Sequence, residues 1–171
     1  MAHSFLKKHL ARAGKKTFPL LLFLIFVGVG LLFQGVQNIR EFQEPLKLCP
    51  FSDLPQKDLF IHGKILHSEV AEASFERRCG LSLRDTLPED QGMLFVFKDK
   101  GFYGIWMKDM RFPIDIIWID EALRIVDIKR NVLPESYPAV FKPKTEALYV
   151  IETLAGVAQK YGIVVGDTVT F

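Results

Sequence analysis

The sequence predicts a mainly β, α+β domain. Its expected form is an antiparallel, partly closed barrel-like sheet with two short helices, preceded by one N-terminal transmembrane helix. Three observations carry that expectation. An uncharged apolar run, Phe18 to Phe33, follows five cations at Lys7, Lys8, Arg12, Lys15 and Lys16. Short apolar runs divided by Gly, Pro and Asp recur through the last two thirds of the chain, as strands do. Only two segments there carry helix start and stop signals: Ser74 to Gly80 and Thr153 to Gly162.

The N-terminal run sets an address. Thr17 to Val36 spans about 20 residues, roughly 30 Å as a helix, enough to cross a bilayer. Pro19 falls in the first turn, where it removes no helical hydrogen bond. Basic residues crowd the N-terminal flank, whereas Arg40 is offset by Glu41 and Glu44. The positive-inside rule therefore assigns 1–16 to the cytoplasm, 17–36 to a single-pass signal anchor in the cell membrane, and the remainder to the extracytoplasmic side. Two other readings compete. One is a cleaved signal peptide, whose best site would follow Gly30, with Gly28 two residues earlier, a poor cleavage sequence. The other is a buried helix of a soluble protein, although no face of this run suits water.

Residues 37–57 read as a stalk, broken by Pro45, Pro50 and Pro55, and 58–171 as the extracytoplasmic domain. That length suffices for one modest core. Six of the 22 cations and none of the 20 carboxylates lie in 1–40, so the remainder carries a net charge of −4. The basic character belongs to the anchor, and a mildly acidic outer part argues against nucleic acid as a partner. No zinc-type cysteine pairs, phosphate-binding glycine loop or nucleophile elbow is present, and no cofactor is expected.

Within the domain, Leu59–His62 and Ile65–Ala71 flank a hairpin turn at Gly63-Lys64. Ser74 is the expected cap of a helix over Phe75–Cys79, closed by Gly80. Gly92–Phe97 is a strand, Asp99-Lys100-Gly101 a turn, and Phe102–Met107 the strand that pairs back. Ile114–Ile119 is nearly all apolar, as a strand covered on both faces must be. Asp120–Ala122 turns into a strand over Arg124–Val132. Pro134, Pro138 and Pro143 mark a long loop, a candidate functional lip. Ala147–Glu152 is a strand, Thr153 caps a helix to Tyr161, and Gly166-Asp167 turns into a last strand over Thr168–Phe171.

Several motifs are specific when taken together: Gly80-Leu81 after a short basic helix, Leu87 through Phe97, Trp106-Met107-Lys108 with Pro113 and Asp115, and Ala155-Gly156 through Gly162-Ile163 to Gly166-Asp167. On these the chain resembles the domain of unknown function 192 family from about Ile65 to Phe171. The resemblance implies a compact, mainly β domain, often exported or membrane-tethered, with no established reaction. This chain departs from the pattern at Ser82, where Met is general, and at Asp109-Met110, where Asn-Thr is common. It also lacks a cysteine within 131–145.

The densest chemistry lies in Trp106 to Asp115. Trp106 and Phe112 offer an apolar wall for a sugar ring or peptide, with Lys108, Asp109, Arg111 and Asp115 as polar ends. Arg84 joins these ligand-binding candidates. The competing structural reading buries Trp106 and pairs Asp115 with Lys108 or Arg84. Arg77, Arg78 and Arg84 read as a solvated basic face, with anion binding as the alternative. His62, His67 and Glu69 make a weak metal set. Asp115 and Asp120, five apart on one strand, face opposite sides and suit two-carboxylate catalysis poorly. Glu152 and Asp167 flank the last helix and read as cap or turn residues. Cys49 and Cys79, the only two cysteines, either form a disulfide or remain free thiols.

The functional expectation is a membrane-tethered extracytoplasmic binding or interaction module for a cell-envelope ligand or protein. The alternative is an envelope-associated hydrolase using Asp109 or Asp115 as general base. The first is favoured because no nucleophile–base pair or metal constellation is legible.

Overall fold

The structure, a computed structural model, describes Cys49 and residues 54–171. The expected cytoplasmic segment, the anchor at 17–36 and most of the stalk lie outside the described residues. Among the described residues no helix is long and apolar enough to cross a membrane. The chain divides after Lys47, and the unit Leu48–Phe171 holds everything below.

Among the described residues eight strands form in chain order: β1 (Gln56–Ile61), β2 (Lys64–Ala71), β3 (Gln91–Gly101), β4 (Ile105–Trp106), β5 (Ile114–Ile119), β6 (Ile125–Val132), β7 (Val140–Phe141) and β8 (Ala147–Leu154). Two short helices accompany them, α1 (Ser74–Cys79) and α2 (Val157–Lys160). The mainly β expectation therefore holds, but the sheet is mixed. Its order is β1-β2-β3-β8-β5-β6, with β2 and β3 parallel and the other neighbours antiparallel. A parallel pair needs a long crossover, and residues 72–90, carrying α1, supply it. The sheet does not close into a barrel either. No ladder joins β1 to β6, and the expected last strand makes only two isolated bridges, Phe60 to Thr170 and Arg124 to Thr168.

The hairpin β1–β2 turns at His62-Gly63, one residue earlier than expected. Both residues have positive φ, 51° and 70°, as a two-residue turn matched to strand twist requires. β1 starts inside the expected stalk, where Gln56 and Lys57 pair with Glu69 and Ser68. The expected turn at 99–101 is also corrected, because β3 runs through it to Gly101. The reversal falls later, and the Tyr103 ring stacks on Phe97 with centroids 3.4 Å apart. The returning strand is only β4, which pairs with β7 in a separate two-stranded sheet. The proline-bearing loop thus supplies a strand rather than a free lip.

Ser74 is not the cap of α1. Ala73 takes that position, and the Glu76 carboxylate accepts from the N–H groups of Glu72 and Ala73 at 2.9 and 2.8 Å. α2 is a single turn, and Thr153 lies buried in β8 instead of capping it.

Two cores cover the sheet's two faces. Met93 and Phe95 of β3 pack into one with Leu81, Ile116 and Trp118. Leu94 packs into the other with Leu59, Ile117 and Ile151. All six residues of β5 are buried, as the sequence suggests for a strand covered on both sides.

Cys49 and Cys79 form a disulfide with Cα atoms 5.5 Å apart, spanning 30 residues of sequence. In the chain-entropy account this closure stabilises by roughly 3–4 kcal/mol. Melts with and without a reductant are expected to differ by roughly 10 °C or more; superimposable melts would show that the bridge contributes little.

Candidate functional site

Glu152 occupies the middle of β8, paired with Met93 on one side and Ile116 on the other. Strand alternation puts its side chain on the same face as Val150, toward the Phe95 core. It is 4% exposed. The carboxyl accepts a hydrogen bond from the Leu81 backbone N–H, and its Oε2 has no partner within the protein. Burial pushes its pKa up to about 8, against the lowering effects of the Leu81 hydrogen bond and the Arg84 charge. At neutral pH this residue is mostly an uncharged acid.

Gly80 lies directly over Oε2. A Cβ at this position would sit 3.4 Å from that oxygen and 3.3 Å from the Phe95 ring, and its φ of +52° favours glycine. Beside Glu152 opens a small cleft of about 40 Å³, partly open to solvent. The end of α1 contributes Arg77 and Arg78, while Trp106, Lys108 and Met110 form the opposing wall. Two motifs far apart in sequence, Gly80-Leu81 and Trp106-Met107-Lys108, therefore meet around one buried carboxyl.

The cations differ in how committed they are. Arg77 donates to the carbonyl oxygens of Val96, at 3.0 Å, and Glu72, and lies 4.7 Å over the Phe97 ring. Arg78 is exposed at the cleft. Lys108 is also exposed, with Asp109 at 4.0 Å. The turn behind Lys108 is held by Leu83 N–H donating to the Asp109 carbonyl at 2.8 Å. Both residues have positive φ, 64° at Leu83 and 57° at Asp109, an uncommon conformation without glycine.

The other sequence candidates disperse. Trp106 is 43% exposed, which corrects the buried reading. Trp106→Ala is accordingly expected to cost about 1 kcal/mol in a thermal or urea melt, not the roughly 3–5 kcal/mol of a core tryptophan. Asp109 and Arg111 are exposed outside the cleft, and Arg111 pairs with Asp85. Arg84 does not reach Asp115 but forms a two-pronged pair with Glu69 at 2.8 and 2.5 Å. Asp115 leaves the candidate face altogether. It is fully buried, with Oδ1 accepting from Asn131 N–H at 2.8 Å and Oδ2 from the N–H groups of Gly156 and Ala158 at 3.0 and 2.9 Å. It holds β6 and the start of α2 to the central strand.

His67 pairs with Asp58, and His62 lies 3.1 Å from Asp167. No group of three metal-ligating side chains occurs among the described residues. Asp167 accepts from Val164 N–H at 2.6 Å, a bond that holds its carboxyl below the usual range. It is the turn residue the sequence suggests. Glu152 and Gly80 are the site residues that sequence reasoning missed. The available signal was a lone carboxylate inside the apolar run Ala147 to Leu154.

Comparison with known proteins fits this architecture. A UPF0127 protein of Thermococcus gammatolerans is 30% identical over 112 residues, covering 64% of this chain and 67% of the relative. A crystal structure of a protein of unknown function from Novosphingobium aromaticivorans matches with a TM-score of 0.68 at 28% identity, covering 72% of this chain and 91% of that one. A proposed transcription regulator of Sinorhizobium meliloti matches with a TM-score of 0.66 at 27% identity, covering 71% and 97%. The model of the domain of unknown function 192 family, described as an uncharacterized ACR, matches residues 58–171, and the chain belongs to that family.

Proposed function

We propose that this chain is a membrane-tethered binding module of the cell envelope, with the cleft over Glu152 as its recognition site. The observation that carries the reading is the buried Glu152 carboxyl, which has one oxygen without a protein partner and lines a small cleft with an aromatic and cationic rim. Buried polar atoms are normally paired, and the exceptions gather where a ligand completes them. The tether rests on the basic flank and uncharged run at 7–36, which also support an extracytoplasmic location.

The rival reading, an envelope hydrolase with Asp109 or Asp115 as base, finds less support. The Asp115 oxygens are occupied by backbone donors, and Asp109 does not line the cleft. Glu152 is the only carboxylate among the cleft's lining residues, whereas glycoside hydrolysis ordinarily takes two. The regulator role proposed for the Sinorhizobium meliloti protein is not carried over, because the part of this chain beyond residue 40 has a net charge of −4.

Full-length protein is expected to remain in the pellet after alkaline carbonate washing. Arg78→Ala and Lys108→Ala are expected to melt within roughly 0.5–1 kcal/mol of wild type, as exposed substitutions do, and to fail in a complementation assay. Variants that both melt and complement like wild type would remove the cleft from the reading. A soluble product beginning near Leu31 would remove the anchor.

A further inference from the structure

We propose that the Cys49–Cys79 bridge is a redox-modifiable site, opened by a dithiol reductant, and that it pins the segment covering Glu152, so that opening the bridge and ionising Glu152 are linked. Its use rests on the binding-module reading, because the link regulates the same cleft. The link itself is measured without any ligand, so the two fail separately. Three consecutive residues carry it. Cys79 ends α1 and holds the bridge. Gly80 covers Glu152, with its Cβ position 3.4 Å from Oε2. Leu81 N–H donates to the Glu152 carboxyl. One covalent bond therefore fixes the segment that both roofs the acid and supplies its backbone donor.

Local structure holds the start of this segment weakly. α1 has six residues, too few for a helix to be stable by itself. The Ser82 hydroxyl bonds back to the Cys79 carbonyl at 2.6 Å and so moves with Cys79. Leu81 is fully buried and keeps the segment on the domain, so opening the bridge loosens it locally without unfolding it. Loosening admits water to an oxygen that has no protein partner, beside a cleft of about 40 Å³ with room for a water. Hydration removes the burial that keeps the proton on the acid. The charged groups around Glu152 then all favour ionisation. They are Arg84, itself paired with Glu69, and Arg77, Arg78 and Lys108 of the cleft. By reciprocity, the bridge opens more readily once the Glu152 proton is gone.

The exchange itself is balanced by the dithiol. Cys49 is partly exposed and Cys79 only 7% exposed, so the reductant's thiolate attacks the Cys49 sulfur. A mixed disulfide forms on Cys49, the Cys49–Cys79 bond breaks, and its electron pair leaves on the Cys79 sulfur, which takes a proton from water. The reductant's second thiolate then closes on its own sulfur in the mixed disulfide, and Cys49 leaves and is protonated. The dithiol ends as a cyclic disulfide, having lost the two electrons and two protons that the cysteines gain. Glu152 releases its proton to water as a separate equilibrium.

The test uses the full chain in detergent, equilibrated with reduced and oxidised dithiothreitol from pH 6 to pH 9. Thiol alkylation and mass spectrometry read the open fraction. Glu152→Gln keeps the same thiols without the acid. The opening constant of wild type relative to Glu152→Gln is expected to rise at least fivefold across this range. Infrared spectra give a second reading that needs no Glu152 variant. At neutral pH ordinary carboxylates are ionised, so the carbonyl stretch of an uncharged carboxylic acid reports Glu152. That band is expected to disappear near pH 8 in the bridged protein and at least one pH unit lower in Cys49→Ser, where no bridge forms. A bridge that stays closed in excess dithiothreitol overturns the redox site. A ratio that does not change with pH, or an infrared midpoint unmoved or raised by Cys49→Ser, overturns the link and leaves a structural disulfide. Loss of the circular dichroism spectrum on reduction also overturns it, since the change is then global. None of these outcomes touches the binding module, which is decided by complementation with Arg78→Ala and Lys108→Ala.

Discussion

Asp115→Ala is expected to destabilise the domain by roughly 3–5 kcal/mol, a large share of the stability of a domain this size. The carboxylate sits near the start of β5 with no exposed surface and accepts three backbone hydrogen bonds. Truncation leaves the N–H groups of Asn131, Gly156 and Ala158 without their acceptor. A buried donor so abandoned costs about 1–3 kcal/mol, and two of these three are only partly buried, so water recovers some of the loss. Asp115→Asn keeps the shape and one accepting oxygen but turns an amide N–H toward donors, so an intermediate loss is expected. Urea denaturation of both variants measures this. An Asp115→Ala protein that unfolds within about 1 kcal/mol of wild type would return Asp115 to the list of ligand-binding residues.

Asp115 also illustrates where sequence reasoning stops. Its position beside Pro113 and before a fully apolar strand is plain in the sequence, but its three partners lie 16, 41 and 43 residues away. Nothing local separates a carboxylate that binds a ligand from one that binds backbone. The expected Arg84–Asp115 pair fails for the same reason: Glu69, on the neighbouring end of β2, meets Arg84 first. Local signals serve better where pairing is local. The β1–β2 hairpin, the short helix after β2 and the double-sided burial of β5 all follow from turn residues and apolar runs of a few positions. The parallel β2–β3 pair does not, since the crossover containing α1 holds one short helix among irregular residues and resembles a loop. Asp99-Lys100-Gly101 has the composition of a turn, but the exposed end of a strand tolerates the same residues.

The candidate site was legible in part. The Trp106–Lys108 segment stands out for its density of aromatic and charged groups, and two of its members do reach the cleft. The floor did not stand out. Glu152 looks like a helix cap because Thr153 and the following glycines look like a helix start. Once β8 extends to Leu154, the same glutamate falls on the inward face of a central strand. Strand length alone moves it from the surface to the core.

Glu152→Gln is expected to remove a pH dependence from stability and to make the protein more stable than wild type under alkaline conditions. The native carboxyl titrates near 8, because burial raises it from 4.5. Between those values the native state keeps a proton that the unfolded chain has released, so stability falls as pH rises. The contribution is complete below about 4.5 and lost by about 8. A displacement of that size corresponds to on the order of 4–5 kcal/mol across the window. Glutamine has nearly the same shape, accepts from Leu81 N–H and carries no charge at any pH. Urea melts of both proteins at pH 5 and pH 8.5 should give similar stabilities at the lower value and a clear advantage for the glutamine variant at the higher. Ionisable groups elsewhere in the chain are common to both proteins and cancel in the difference. Parallel stability curves for the two proteins would mean that Glu152 meets water or a counter-charge in solution and is an ordinary carboxylate.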